Sequence, residues 1–237
     1  METPDLTLVF GRHEFAIRRL HSLTGLVPVG AFLFVHFVTN VSILDGPVTF
    51  QERVGQIHQI GPVTLLFVEW LFILLPILFH GLIGLLIVLR GKRNILNYPY
   101  RENVRYSLER WTGVVVFVFI IWHVFHTRGW IPSAWWIANV TKPLGGGTFD
   151  VENAAATAAG AIRSSPWVAG AYVIGVLASV YHLSNGVWTA GITWGAWTSA
   201  NAQSRANVVA LGVGLVLAVM GLAALVGMYT VAIPVSP

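Results

Sequence analysis

The chain has 237 residues, of which 55% are hydrophobic and only 10% charged, against roughly 25% charged in a soluble domain; its mean hydropathy is +0.70. It has no cysteine, which excludes disulfides, thiolate-bound iron–sulfur clusters and covalent c-type haem attachment. The net charge of +4 points to no nucleic-acid partner, because basic residues in a membrane protein mark cytoplasmic loops.

Five apolar segments are each long enough to cross roughly 30 Å of hydrocarbon. They run approximately over 22–44, 63–89, 109–128, 166–192 and 206–232. The first follows "GRHEFAIRRL", which looks like the charged start of a signal peptide, but the apolar run is too long for one and no small-residue cleavage site follows. The expectation is an all-α integral membrane protein, a single transmembrane domain over 1–237 with an outer loop at 141–165. "GVG" at Gly212–Gly214 falls inside the fifth segment and reads as small residues for helix packing. No P-loop and no strand pattern is present. With the N-terminus inside, Arg12, Arg18, Arg19, Arg90, Lys92, Arg93, Arg101, Arg105, Arg110 and Arg205 are cytoplasmic. Only Arg53, Arg128, Lys142 and Arg163 are outside. This asymmetry satisfies the positive-inside rule and puts the C-terminus outside.

Segments one to four each carry a histidine: His36, His80, His123 or His126 in "FIIWHVFHTRGW", and His182. One such ring is readily a packed residue bonded to a carbonyl. Four on successive segments are harder to dismiss, because each buried polar ring needs a partner. Neutral imidazole is an axial ligand of haem iron. Counted from the flanking charges at about 1.5 Å per residue, His36 lies roughly 25 Å and His123 roughly 20 Å from the inner surface, and His80 roughly 15 Å. His182 lies about 24 Å from the outer surface. His36 therefore pairs with a third-segment histidine in the outer half, and His80 with His182 in the inner half. Two stacked bis-histidine sites make a two-haem electron wire. Depth alone slightly favours His126. Face matching favours His123: Gly25 and His36 share a face within about 20°, Gly113 and His123 lie about a quarter turn apart, and His126 falls nearly opposite Gly113. His123 is taken as the ligand, with His126 near the outer interface beside Arg128. A weak internal repeat accompanies the pairing. Thr24-Gly25 precedes His36 as Thr112-Gly113 precedes His123, while His80 with Gly84 and His182 with Gly186 share His-x-x-x-Gly. A glycine beside a ligand leaves room for a flat macrocycle, or simply for a close helix.

The stretches "RRLHSLTGLVPVGAFLFVHFVTN", "LPILFHGLIG", "ERWTG", "IIWHV" and "HLSNGVW…TWG" resemble the cytochrome b558 subunit of succinate:quinone oxidoreductases, of the single-chain, five-helix, dihaem type. The resemblance covers roughly Arg18 to Gly195. It implies a bundle whose first four helices bind two stacked b haems, with axial ligands at His36 and His123 (outer haem) and His80 and His182 (inner haem). It also implies a flavoprotein subunit (FAD) and an iron–sulfur subunit on the cytoplasmic face of a bacterial inner membrane, menaquinone as the electron acceptor, and is compatible with a higher oligomer of the complex. The chain has no electron entry chemistry of its own. It would anchor the complex and pass electrons to quinone, the dicarboxylate chemistry lying on a partner. A dihaem subunit of a fumarate reductase, or of another quinone-linked dehydrogenase, is the alternative. Some relatives carry a proton-handling carboxylate two residues before the fourth ligand; here that position is Val180.

For the inner haem propionates, Arg19, His21, Ser22 and Arg110 have the right depth; for the arginines a topology role is as good a reading. Trp111, Trp122 and Trp188 read as belt or packing residues. A quinone site is expected near the outer haem, drawing on Glu69, His58, Asn40, His126 and Arg128. Glu69 reads as the one acidic residue deep in a span, where a carboxylate is expensive without a function or partner. A bc-type cytochrome b is disfavoured, because it places two ligands on one helix. A transporter would show broken helices and polar midplane residues on several spans.

Overall fold

The computed structural model describes residues 11–91 and 95–233; Lys92 and Arg93 of the charge count lie outside them. Among the described residues every regular element is helical. The elements are α1 (Gly11–Asp45), α2 (Pro47–His58), α3 (Pro62–Arg90), α4 (Arg101–Arg128), a short α5 over 134–141, α6 (Ala154–Arg163), α7 (Pro166–Thr193) and α8 (Ala200–Thr230). Helices α1, α3, α4, α7 and α8 are 28 to 35 residues long, so each exceeds the thickness of a hydrocarbon core at about 1.5 Å per residue. Large apolar side chains stand outward along them, among them Phe67, Leu89, Leu215 and Trp167. A face of that kind belongs against lipid.

Helix α1 starts well before its apolar run. "EFAIRRLHSLT" extends the helix toward the N-terminus by about three turns of mixed polar and apolar residues, with Glu14 and Arg18 paired at 2.7 Å four residues apart. Its backbone widens to a π-turn over Gly25–Val29, where Pro28 supplies no N–H. A second π-turn, Glu69–Leu74, lies in α3 just before Pro76. Gly46, at φ +110°, ends α1 and lets Pro47 open α2.

The chain divides into two compact units. The first takes the residues through Leu33, Leu66–Val114 and Ser179–Leu215; the second takes Phe34–Leu65, Val115–Ala178 and the chain from Val216. The second unit packs α2 and α6 together through Ile43, Phe50, Val54, Ala154, Ala155 and Ile162, with Tyr172 and Met228. Gln51 fastens that cluster: its amide nitrogen donates to the Val151 carbonyl and its oxygen accepts from the Ala154 amide, both at 2.7 Å. Past α4 the loop turns back on the helix end. The amides of Gly147, Thr148 and Phe149 donate to the carbonyls of Phe125, His126 and Thr127, which would otherwise end the helix unsatisfied. In the first unit, α7 and α8 meet where Ser184 donates to the Ala210 carbonyl. A Cβ on Gly214 would approach the Ser184 hydroxyl at 2.8 Å, whereas Gly212 faces open space. The packing role read into "GVG" therefore falls to Gly214.

Candidate functional site

In the first unit, His80 on α3 and His182 on α7 face each other with ring centroids 5.9 Å apart and planes at 74°. In the second, His36 on α1 and His123 on α4 do so at 6.1 Å and 78°. Two imidazoles on opposite sides of one metal, with metal–nitrogen bonds of about 2 Å, hold their centroids about 6 Å apart. Among the described residues no three or more histidines, cysteines and carboxylates gather as a metal site. The donor set is two imidazoles twice over, which is what a haem iron takes from a protein when the macrocycle fills its other positions.

The first pair is oriented by backbone. His80 Nδ1 lies 2.9 Å from the His21 carbonyl, and His182 Nδ1 lies 3.1 Å from the Glu109 carbonyl. A carbonyl only accepts, so each Nδ1 carries the hydrogen and each Nε2 keeps its lone pair for a metal. The weak repeat in the sequence is this device built twice. His21 stands four residues before Gly25, and Glu109 four before Gly113. A Cβ on Gly25 would overlap the His80 ring, and one on Gly113 would come within 3.0 Å of the His182 ring. The two Thr-Gly steps therefore seat His80 and His182, the histidines of the other pair, rather than the His36 and His123 they precede in sequence. Thr24 and Thr112 each turn their hydroxyl back to the carbonyls three and four residues earlier. The space beside Gly84 is taken by the His21 ring, which stacks on His80 at 4.1 Å and 9°.

Around His182 lies a polar network. A Glu109 carboxylate oxygen is 3.4 Å from His182 Nδ1, and the other accepts from Asn185 at 2.7 Å. Asn185 in turn accepts from Arg105 at 2.8 Å, and Arg105 also donates to Asn207 and lies over Trp188. Glu69 is thus joined by a second half-buried carboxylate within the spanning helices. Glu109 had one sequence signal, its place in "ERWTG" at the position His21 occupies in the first repeat. Asn185 stands in "HLSNGVW" and Arg105 among the cytoplasmic charges, with nothing to mark either for this network.

Of the proposed propionate partners, Arg19 lies over Phe15 and Trp194, donates to the Thr193 carbonyl at 3.4 Å, and keeps its Nε buried without a hydrogen-bond partner. An orphaned buried donor of this kind suits an anionic group. Arg110 donates to the Ile87 carbonyl and lies over Tyr106. Ser22 sits half-buried beside His21, its carbonyl accepting from the Gly25 amide.

The residues named for quinone fall in both units. Glu69 belongs to the first unit, half-buried where the π-turn of α3 begins. Asn40, His58, His126 and Arg128 belong to the second. His58 is exposed at the end of α2, its Nδ1 2.9 Å from the Val54 carbonyl. Asn40 donates to the His36 carbonyl at 2.7 Å, and Arg128 is exposed as the last residue of α4. His126 differs from the expectation of an interfacial ring. It is 6% exposed, stacked on Trp122 and bonded to Tyr172 at 3.0 Å. The returning loop covers it, with Thr148 bonding its carbonyl through both amide and hydroxyl. Tyr172 also lies 3.2 Å from His123 Nδ1; nothing in its apolar run distinguished it.

Over 217 residues the chain is 32% identical to the succinate dehydrogenase cytochrome b558 subunit of Bacillus subtilis (strain 168), an alignment covering 91% of this chain and 97% of that relative. The chain belongs to that family. No family model matches the sequence. With five long apolar helices and no strand among its described residues, it is the multi-pass cytochrome b membrane subunit of a succinate dehydrogenase, an enzyme complex. The resemblance read from "RRLHSLTG", "ERWTG" and "HLSNGVW" is thereby established.

Proposed function

We propose that this chain anchors a succinate:quinone oxidoreductase and carries electrons across the bilayer, holding one haem b between His80 and His182 and another between His36 and His123. The observation that carries this reading is the pair of facing imidazoles found twice, each with centroids about 6 Å apart. A haem bound there would supply one-electron ferric/ferrous chemistry. The protein's own part is to fix tautomer and direction: the His21 and Glu109 carbonyls hold His80 and His182 by Nδ1–H, and Arg19, with its orphaned Nε, would hold a propionate.

Electrons would enter from an iron–sulfur subunit fed by a flavoprotein carrying FAD. Both would dock on the cytoplasmic face of a bacterial inner membrane, the side to which ten of fourteen Lys and Arg residues assign the N-terminus. Menaquinone would be reduced on the opposite side, and Glu69 is the residue most worth testing there. Its π-turn supports this, since such turns recur at functional sites. Movement of each electron across 100 mV is worth about 2.3 kcal/mol, enough to bias an otherwise unfavourable transfer.

The test is purification of the intact complex from native membranes, followed by a reduced-minus-oxidised visible spectrum. Two low-spin b haems, co-purifying with flavin and iron–sulfur partners, are expected. A chain free of haem would overturn the reading, and a dihaem chain with other partners would reassign it to another dehydrogenase.

A further inference from the structure

Two histidines stand three residues apart on α4, and His123 is the one paired with His36. We propose that the other, His126, acts through the Tyr172 hydroxyl as a positioning residue for His123, so that a hydrogen-bonded chain of three side chains sets how strongly the His123 imidazole donates to an iron. This rests on the haem reading above.

The Tyr172 oxygen lies 3.2 Å from His123 Nδ1 and 3.0 Å from His126 Nδ1. A phenol has one proton to give. With His123 Nε2 turned to iron, its Nδ1 must carry hydrogen and donate to Tyr172. The phenol proton is then directed to His126 Nδ1, which places the His126 hydrogen on Nε2. The opposite order would leave His123 protonated at Nε2 and unable to ligate, so only one direction is compatible with a metal. The chain is also locked in place. His126 and Tyr172 are 6% and 7% exposed. Trp122 stacks on His126 at 4.9 Å and 11°, and Phe119 on His123 at 5.6 Å and 21°. Tyr172 stands near-perpendicular to Phe119 and His123.

The other pair is built differently. Both of its Nδ1 hydrogens meet backbone carbonyls as the nearer acceptors, which no side-chain substitution removes, with a Glu109 carboxylate oxygen farther off at 3.4 Å from His182 Nδ1. At His123 the acceptor is a side chain whose strength a second side chain sets. By taking the phenol proton, His126 makes the Tyr172 oxygen a better acceptor, because linked hydrogen bonds polarise one another. A better acceptor makes His123 more basic, which favours ferric over ferrous iron and lowers the reduction potential.

The test is a redox titration of the intact complex, followed in the visible and by low-spin electron paramagnetic resonance. Tyr172→Phe should shift the ferric/ferrous balance of one haem about tenfold toward ferrous, about 59 mV upward for a one-electron couple. The haem that moves should be the one lost in His123→Ala, and the other should not move. His126→Leu should shift the same haem in the same direction by less. His126→Asn, which keeps an acceptor near the Nδ1 position, should return it toward the unsubstituted value. An unmoved potential in Tyr172→Phe, a shift in the other haem, or identical behaviour of the Leu and Asn variants would overturn the proposal. If Tyr172→Phe does not assemble, the two His126 variants decide by themselves. Absence of low-spin haem from the unsubstituted complex would instead overturn the haem reading on which this rests.

Discussion

Each facing pair lies within one compact unit, so ligand substitutions should sort by pair. His36→Ala and His123→Ala should remove or convert one haem, and His80→Ala and His182→Ala the other, in a redox titration that resolves the two. Loss of the same component in His36→Ala and His80→Ala would break the pairing. Glycine gives an independent check that leaves every ligand in place. Gly25→Ala puts a methyl where the His80 ring lies. The ring cannot move aside without giving up its bond to the His21 carbonyl. Gly25→Ala should therefore lose the His80–His182 haem, seen as half the haem content with the other spectrum intact. Gly212→Ala, which faces open space, should lose neither.

At the scale of elements, α2 and α6 are held together by apolar packing and by one amide. Gln51→Ala leaves the Val151 carbonyl and the Ala154 amide without their partner, at about 1–3 kcal/mol for each group left unsatisfied. The expected result is a lower midpoint of thermal unfolding with both haem spectra unchanged, since Gln51 touches neither pair. The π-turn of α3 carries a different expectation. Glu69→Gln should sharply lower quinone reductase turnover while haem spectra and activity with an artificial acceptor stay intact. Normal turnover in that variant would move the quinone site elsewhere, with the neighbourhood of Arg19 and Ser22 next to be tested.

For the molecule as a whole, the absence of native cysteine makes topology directly measurable. Leu144, in the loop after α5, is 69% exposed, and Leu96, between α3 and α4, is 95% exposed. With the N-terminus cytoplasmic, a Leu144→Cys chain should react with a membrane-impermeant maleimide on intact cells, and a Leu96→Cys chain only after lysis. The reverse pattern would invert the orientation and with it the face on which the soluble subunits dock.

Segment count, helical class and the pairing of His36 with His123 and His80 with His182 were legible in the residues. Apolar length against bilayer thickness and depth along a helix are one-dimensional quantities that a sequence carries. Helix α2 was not legible, because "PVTFQERVGQIH" is short and half polar, and its stability comes from Gln51 and from neighbours supplied by distant chain. The Thr-Gly repeat was visible but its use was not. Which ring fills the space above Gly25 depends on how α3 is rotated against α1, and periodicity within one helix says nothing about a neighbour's rotation. The place of His126 near the end of α4, beside Arg128, predicts an interfacial ring. Only the loop returning over it, with Thr148 meeting its backbone and Tyr172 its ring, makes it a buried partner of Tyr172. Depth along a helix is local information, whereas the identity of the atom facing Nδ1 is decided by packing between segments far apart in the chain.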